Sequence, residues 1–216
     1  MNVNVTSPVN EALLIIHKII SRGLTISIRK CDEYMAKHDI PSGEADGFSM
    51  YVKTLKWVTH AHHLSEDELA FPRFKNYIDA PYDLLKDNHQ TIASFLVALD
   101  KPLLEMSSEG VGKLREVLGE FYELWVPHIR IEEETFTGEK LQTIMKMKEQ
   151  VDFTQKLGNH GSKNSGPGPL ALPFMFYNIE GKDRETFMKH FPWIVTKILV
   201  PVVWKRQWKP MSQFFL

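Results

Sequence analysis

The sequence has little of what secreted, membrane-spanning or nucleic-acid-binding proteins contain. Cys31 is its only cysteine, so no intrachain disulfide can form and a reducing compartment is favoured. Its 26 basic and 27 acidic residues leave no basic excess to attract nucleic acid. The apolar stretch 193–204 is too short to cross a bilayer, and Lys197 and Pro201 interrupt it. These absences predict a soluble, cytoplasmic protein with neither nucleic acid nor a membrane as its partner.

Segments with the alternating Val, Ile and Thr pattern of strands are also missing, whereas apolar residues recur at helical spacing. This periodicity predicts four long helices, over about residues 8–37, 48–77, 83–104 and 111–136. Ser7 and Pro8 suit the start of the first helix, as its cap and its first helical residue. The short connections predict an all-α fold, an up-down-up-down four-helix bundle.

The chain changes character after Thr137. Residues 139–156 are predicted as a further helix, and residues 158–173, rich in Gly, Pro, Ser and Asn, as a linker or loop. We therefore predict a bundle over residues 1–156 and a C-terminal extension with helical segments over residues 157–216, packed on the bundle. Five apolar side chains of the extension are expected to contact the outside of the bundle or to cover its mouth: Leu172, Phe174, Phe176, Trp193 and Trp204.

Two segments place a histidine four residues before a glutamate, His62 with Glu66 and His128 with Glu132. On a helix, residues four apart lie on the same face, so each pair offers an imidazole and a carboxylate to one point. One such pair is weak evidence for a metal site, because a histidine on an apolar face is more often an ordinary core residue. Whether both pairs lie on the apolar faces of their helices, together with further histidines, therefore decides between a metal site and ordinary core residues.

Four histidines lie on the apolar faces of four different predicted helices, and both glutamates share those faces. Burying a carboxylate without a partner costs several kcal/mol, so the arrangement favours metal ligation. Nitrogen and oxygen donors without thiolate suit iron, manganese or zinc. Six ligands exceed the need of one tetrahedral zinc and favour two metals bridged by carboxylates. The predicted ligands are His17, His62, Glu66, His89, His128 and Glu132.

Four segments carry a resemblance to a known family: residues 17–20 (HKII), 62–72 (HHLSEDELAFP), 87–89 (DNH) and 128–133 (HIRIEE). Together they resemble the hemerythrin family, in its HHE cation-binding branch, over roughly residues 8–140. The resemblance implies two iron ions in a non-haem di-iron centre inside a four-helix bundle. It also implies that the four histidines are terminal ligands and that Glu66 and Glu132 bridge the irons. The expected partner is a small ligand, namely dioxygen, peroxide or nitric oxide.

The third predicted helix departs from the oxygen-carrying hemerythrins, which have a second histidine one turn from the first. Leu85 and Ala93 occupy the positions four residues before and after His89. A four-histidine set resembles sensors and proteins with peroxide- or nitric-oxide-directed chemistry more than oxygen carriers. A peroxidase or oxidase activity, and a structural zinc site, stay open as alternatives.

Several polar residues near the predicted ligands have other expected roles. His60 and His63 lie off the apolar face of the second helix and are expected to be outer or supporting residues. A shifted ligand pair, His63 with Asp67, is the competing interpretation. Otherwise Asp67 and Glu133 are expected to hold the ligands in place by hydrogen bonding.

Overall fold

The computed structural model describes residues 7–41 and 43–216, and every regular element in those residues is helical. The prediction of an all-α four-helix bundle is confirmed. The bundle consists of α1 (Pro8–Lys37), α2 (Glu44–Ser65), α4 (Tyr82–Ala98) and α6 (Ser108–Thr135). Two short helices accompany them, α3 (Phe71–Phe74) and α5 (Asp100–Leu104). None of the described helices is long and apolar enough to span a membrane.

The ends of α1 and α6 follow from their capping residues. The Ser7 side chain accepts a hydrogen bond from the Asn10 backbone N–H, and Pro8 occupies the first turn of α1. Ser107 caps α6 in the same way through the Gly110 backbone N–H. These caps fix the axial start of two helices that carry predicted ligands.

The second predicted helix contains a π-helical turn over Glu66–Ala70, called the π-turn below. Here the Phe71 backbone N–H donates to the carbonyl of Glu66, five residues earlier. Pro72 explains this shift, because proline has no N–H and its ring clashes with the carbonyl four residues before it. The predicted ligand Glu66 therefore stands at the first residue of a locally widened helix.

Two helices that follow the bundle contradict the predicted linker over residues 158–173. Helix α8 (Met147–Asn164) continues through Gly158 and Gly161, and α9 (Gly168–Tyr177) begins only a few residues later. Packing of α8 on α1 and α2 overrides the weak helix propensity of its glycines. Gly166 makes the turn between them at φ +76°, where a side chain would also collide with Trp57. The predicted division of the chain at residue 156 falls inside α8 and stays a prediction.

The remaining elements are α7 (Gly138–Ile144), α10 (Gly181–Met188), a π-helix (Val195–Val203), α11 (Lys205–Trp208) and a 3₁₀-helix (Lys209–Phe214). The C-terminal part lies along the first half of α2, where Tyr51 contacts the rings of Phe174 and Phe214. The Tyr51 hydroxyl also donates to Asn178 Oδ1 at 2.6 Å. Since Tyr51 precedes His62 by eleven residues, these contacts lie about 16 Å from that histidine along the helix.

The five apolar residues expected to cover the bundle behave differently from one another. Phe174 and Phe176 are buried, and Leu172 and Trp204 are half-buried. Trp193 is 68% exposed, so the expectation that it packs on the bundle is wrong. The ligand-bearing end of the bundle is instead closed by a second apolar cluster that includes Phe71, Phe136 and Leu141.

Candidate metal centre

Seven acidic and histidine side chains converge between the four bundle helices. None is more than 8% exposed. Helix α1 supplies one, α2 supplies two, the π-turn one, α4 one and α6 two. They are His17, His62, His63, Glu66, His89, His128 and Glu132. The structure thus brings all six predicted ligands together and adds His63 to them.

These side chains form two groups that each suit one metal ion. The first group contains His17, His62, Glu66 and Glu132, and the second contains His63, His89 and His128. Within each group, one ligand atom from every residue lies within 4.8 Å of the others. Neither group contains a thiolate, so the donors are imidazole nitrogens and carboxylate oxygens only.

Glu132 lies between the two groups. Its Oε2 atom is 3.2 Å from His17 Nε2 and 3.5 Å from His128 Nε2. Its other oxygen, Oε1, is 3.8 Å from His89 Nε2. One carboxylate therefore approaches histidines of both groups, which is the position that a bridging ligand requires.

Glu66 lies between the groups as well. Its Oε2 atom is 3.4 Å from His62 Nε2, in the first group, and 3.6 Å from His89 Nε2, in the second. The π-turn that begins at Glu66 sets this position. The two glutamates thus join the groups from different helices.

The converging atoms have no hydrogen-bond partner among residues 7–41 and 43–216, which the structure describes. The Nε2 atoms of all five histidines are buried and unpaired, as are Glu66 Oε2 and both carboxylate oxygens of Glu132. Buried polar atoms in native proteins almost always have partners, and leaving so many unpaired would be costly. A pair of metal ions would satisfy them all. Imidazole and carboxylate donors without thiolate fit iron, manganese or zinc.

Two carboxylates outside the groups hold two of the predicted ligand histidines by their other ring nitrogen. His17 Nδ1 lies 2.9 Å from Glu133 Oε1, and His89 Nδ1 lies 3.0 Å from Asp67 Oδ1. Each carboxylate favours a proton on Nδ1, which leaves the lone pair of Nε2 free to bind a metal ion. The predicted hydrogen bonds of Asp67 and Glu133 to histidines of the site are confirmed, while metal ligation by those histidines stays a prediction.

Three of the histidines are held neutral by their surroundings. Burial lowers the pKa of His62 and His63 well below the ordinary histidine value, and nearby histidines lower it further. Burial likewise lowers the pKa of His128, to about 4. A neutral imidazole is the form that binds a metal, so these three side chains are ready to act as ligands at neutral pH.

The histidines that contact carboxylates show the opposite shift. Burial lowers the pKa of His17 and His89, but their hydrogen bonds to acidic side chains outweigh it, so the pKa of each is raised. Burial and the charge of Glu132 raise the pKa of Glu66. Glu132 keeps a lowered pKa, because the nearby imidazoles of His17, His89 and His128 outweigh its burial. Without metal, the site therefore mixes ionised and neutral groups in an apolar interior.

Aromatic rings line the space around the ligands. The Trp125 ring centroid lies 5.6 Å from that of His17 and 5.8 Å from that of His63. Trp125 Nε1 donates to Ser21 Oγ at 2.8 Å, which fixes the indole in place. The Phe71 ring stacks on His89 at 5.5 Å. These rings keep water away from the candidate centre and fix the orientation of its imidazoles.

The expectation that His63 is an outer residue is wrong. Its ring is 5% exposed and stacks on His89 at 4.0 Å between centroids. Successive helical residues point about 100° apart, so a narrow apolar face admits only one of two neighbouring histidines. A site with two metal positions is wider. His62 points toward α1, where its ring lies 5.1 Å from His17, while His63 points toward α4.

The alternative ligand pair, His63 with Asp67, stays a prediction, and of its two residues the structure places only His63 in one of the two groups. Asp67 bonds to the outer nitrogen of His89 instead of lying within either group. The signal in the sequence was the His62–His63 doublet itself. Two adjacent histidines can serve two adjacent metal positions, whereas a single narrow helical face holds only one of them.

His63 provides a direct test of the two-group arrangement. We expect His63→Ala to lower metal affinity by at least about tenfold, since it removes one of three nitrogens from the second group. His60→Ala is the matched control, because His60 is an exposed histidine of the same helix. Metal content after dialysis against a chelator would show the difference. Equal retention by both variants would contradict ligation by His63.

A four-helix bundle with paired histidine and carboxylate groups between its helices defines a metal-binding protein of the hemerythrin type. The model of the hemerythrin HHE cation binding domain matches residues 9–138 of the chain. The protein therefore belongs to this family, as its sequence motifs predicted. Searches of characterised proteins and of solved structures gave no match to the chain.

Proposed function

We propose that the chain holds a carboxylate-bridged pair of iron ions and uses it to bind dioxygen, peroxide or nitric oxide. The observation that carries this proposal is the approach of Glu66 and Glu132 to histidines of both groups. A zinc site that only stabilises the fold needs four ligands around one ion and no such bridge. When bound, two irons supply a two-electron redox couple and coordination positions for an exogenous ligand.

The residues divide unequally between the two proposed ions. His63, His89 and His128 serve one ion, and His17 and His62 serve the other, with Glu66 and Glu132 shared between them. Together they offer fewer donor atoms than two six-coordinate ions require. Positions for a small ligand therefore remain, and the ion with two histidines has more of them.

The fifth histidine changes one sequence-based inference. A set of four histidines was evidence against reversible dioxygen binding, because the oxygen-carrying hemerythrins have a further histidine on the third helix. His63 supplies a fifth histidine from the second helix, and it contacts His89 by stacking. The number of histidines therefore supports dioxygen as one of the proposed ligands, alongside peroxide and nitric oxide.

The surroundings of the site favour binding of a small apolar molecule. Phe71 and Trp125 lie against the ligand histidines, and all seven site residues are buried. Exclusion of water protects a bound oxidant from proton leakage and hydrolysis. The carboxylates of Asp67 and Glu133 hold the Nδ1 protons of His89 and His17 and so make these imidazoles stronger donors.

Metal analysis and an optical spectrum test the proposal. We expect close to two irons per chain, with the near-ultraviolet absorption of magnetically coupled ferric ions. Azide or nitric oxide should then change that spectrum, because both occupy positions that the protein leaves free. One tightly held zinc per chain, with no such absorption, would show that the site is structural.

A further inference from the structure

An exposed apolar face occurs in the C-terminal part of the chain, far in sequence from the metal ligands. It lies on the π-helix and on the two residues before it. Its members recur every four to five residues, as one face of such a helix requires. They are Trp193, Ile194, Ile198, Val202 and Val203, with exposed fractions of 68%, 46%, 36%, 67% and 56%. We call this set the apolar face.

The opposite side of the same helix is anchored to the protein. Val200 is fully buried, and its carbonyl accepts a hydrogen bond from Trp208 Nε1 at 2.7 Å. The Trp204 backbone N–H donates to the Leu199 carbonyl at 2.7 Å, which continues the π-helical pattern past Pro201. The apolar face is therefore held outward by buried contacts behind it. Exposed apolar patches of this kind in folded proteins mark interaction surfaces.

Basic residues precede, interrupt and follow the apolar face in the sequence. Residues 186–216 contain no Asp or Glu but contain five basic residues, all of them exposed. In the sequence, Lys197 lies between residues of the apolar face, and the other four lie before or after it. None of the five forms an ion pair with another described residue. They are Lys189, Lys197, Lys205, Arg206 and Lys209.

We propose that the apolar face docks on an anionic phospholipid surface. Helices that lie in a membrane interface have this composition, with apolar and aromatic side chains on one side and basic residues beside them. Tryptophan prefers the level of the lipid headgroups, where Trp193 would lie. Lysine and arginine next to the face would attract anionic headgroups. This surface contact revises the sequence-based expectation of no membrane partner, and it requires no spanning helix.

Charge also distinguishes a lipid surface from a second copy of the chain. A symmetric dimer through the apolar face would bring two identical surfaces together, so that the basic residues of each copy would approach a surface of the same positive charge. Unpaired like charges across an interface oppose association. An anionic bilayer neutralises them instead. The charge distribution therefore selects the lipid over self-association.

Vesicle sedimentation with the full metal-loaded chain tests the proposal. We expect binding to vesicles of phosphatidylcholine mixed with phosphatidylserine, little binding to phosphatidylcholine alone, and weaker binding at high salt. The double variant W193S/V202S should lose at least about tenfold in partitioning, since it removes the two most exposed apolar side chains of the face. The variant V97S/L104S is the matched control, because Val97 and Leu104 lie elsewhere and are at least as exposed.

A second pair of variants tests the charge. Each basic residue near a membrane surface contributes about 1 kcal/mol, or roughly fivefold in partitioning, so K205A/R206A should weaken binding by roughly 25-fold. The variant K75A/K101A removes two exposed lysines outside the segment and should bind as the wild type does. Quenching of tryptophan fluorescence by brominated lipid should fall in Trp193→Phe while binding is kept. Unchanged metal content would confirm that each variant is folded.

Three results would overturn the proposal. The first is equal binding to neutral and anionic vesicles. The second is binding that W193S/V202S and V97S/L104S reduce by the same amount. The third is a dimer in sedimentation velocity that W193S/V202S dissociates, together with no vesicle binding, which would make the face a contact between two copies of the chain. The proposal does not depend on which metal the bundle binds.

Discussion

Glu132→Ala should remove both metal ions from the protein, not one. The Glu132 oxygens lie within 3.8 Å of nitrogens from His17, His89 and His128, which belong to both groups. Loss of a shared ligand directly weakens the binding of each ion. When one ion dissociates, the other also loses the neighbouring ion with which it shares its carboxylate ligands. Substitutions that only disturb supporting residues of a metal site cost 10–100-fold in affinity. We therefore expect Glu132→Ala to lower the metal affinity by more than about 100-fold.

Glu66→Ala should act in the same direction, because Glu66 Oε2 approaches His62 and His89 from the π-turn. Glu134→Ala is the control for both variants, since Glu134 is an exposed glutamate of α6 two residues from Glu132. Iron per chain, measured after gel filtration, separates the outcomes. A Glu132→Ala protein that keeps one tightly bound ion would show that this carboxylate belongs to one position only, and the bridged arrangement would have to be abandoned.

The sequence predicted the bundle and six of the seven converging residues because both depend on helical periodicity. His17, His62, His89 and His128 lie on the apolar faces of four helices, so their meeting follows once the helices pack with those faces inward. Glu66 and Glu132 follow from the four-residue spacing to His62 and His128. Local spacing was sufficient for these residues, because each helix is regular up to its ligand.

His63 could not be predicted from periodicity, because its role depends on the width of the site. A face about 100° wide includes either His62 or its neighbour, and only the packing of α2 between α1 and α4 allows both to point inward. The π-turn raised a related difficulty. Its cause, Pro72, is visible in the sequence, but whether a proline breaks, kinks or widens a helix depends on the contacts around it.

The C-terminal part was predicted least well, because composition alone does not determine packing. Gly158 and Gly161 suggested a loop, yet α8 continues through both. Its His160 ring bonds to Ser65 Oγ and to Glu68 Oε2, both at 2.9 Å, and so ties α8 to the π-turn. The high apolar content suggested that Trp193 packs on the bundle, but Trp193 is exposed. Long-range contacts decided each of these cases.

Removing the metal should destabilise the whole bundle. Without metal, buried nitrogens of five histidines and buried oxygens of Glu66 and Glu132 have no hydrogen-bond partner in the described part of the chain. Breaking a buried charge pair by removing one partner typically costs about 3–5 kcal/mol. For a chain of this size, 1 kcal/mol shifts the melting temperature by about 2–4 °C. We therefore expect the metal-free protein to melt about 10 °C lower or more, and chelator should not change the melting temperature of the already metal-depleted Glu132→Ala protein.

Acid should reduce the same stabilisation, and the direction follows from the pKa shifts of the metal-free site. All five histidines must be neutral to bind metal, so protons compete first at His17 and His89, whose raised pKa values lie above 6.5. In the metal-free protein these two histidines add stability at low pH, which is lost as pH rises through their pKa values. His62, His63 and His128 have lowered pKa values and have the opposite effect, so the stability of the metal-free protein falls as pH falls below the ordinary histidine pKa. The reason is that the unfolded chain binds protons in this range and the folded protein does not.

The metal-loaded and metal-free proteins should therefore approach each other in melting temperature as pH falls. The difference should be largest at pH values above the raised pKa values of His17 and His89, where protons no longer compete with the metal, and should be small at pH values below the ordinary histidine range, where protonation displaces the metal. Parallel thermal scans of both forms across this range, with bound iron measured at each pH, provide the measurement. A difference that stays constant while iron is lost would mean that the bundle does not depend on its metal, and the unpaired site atoms would then need another partner.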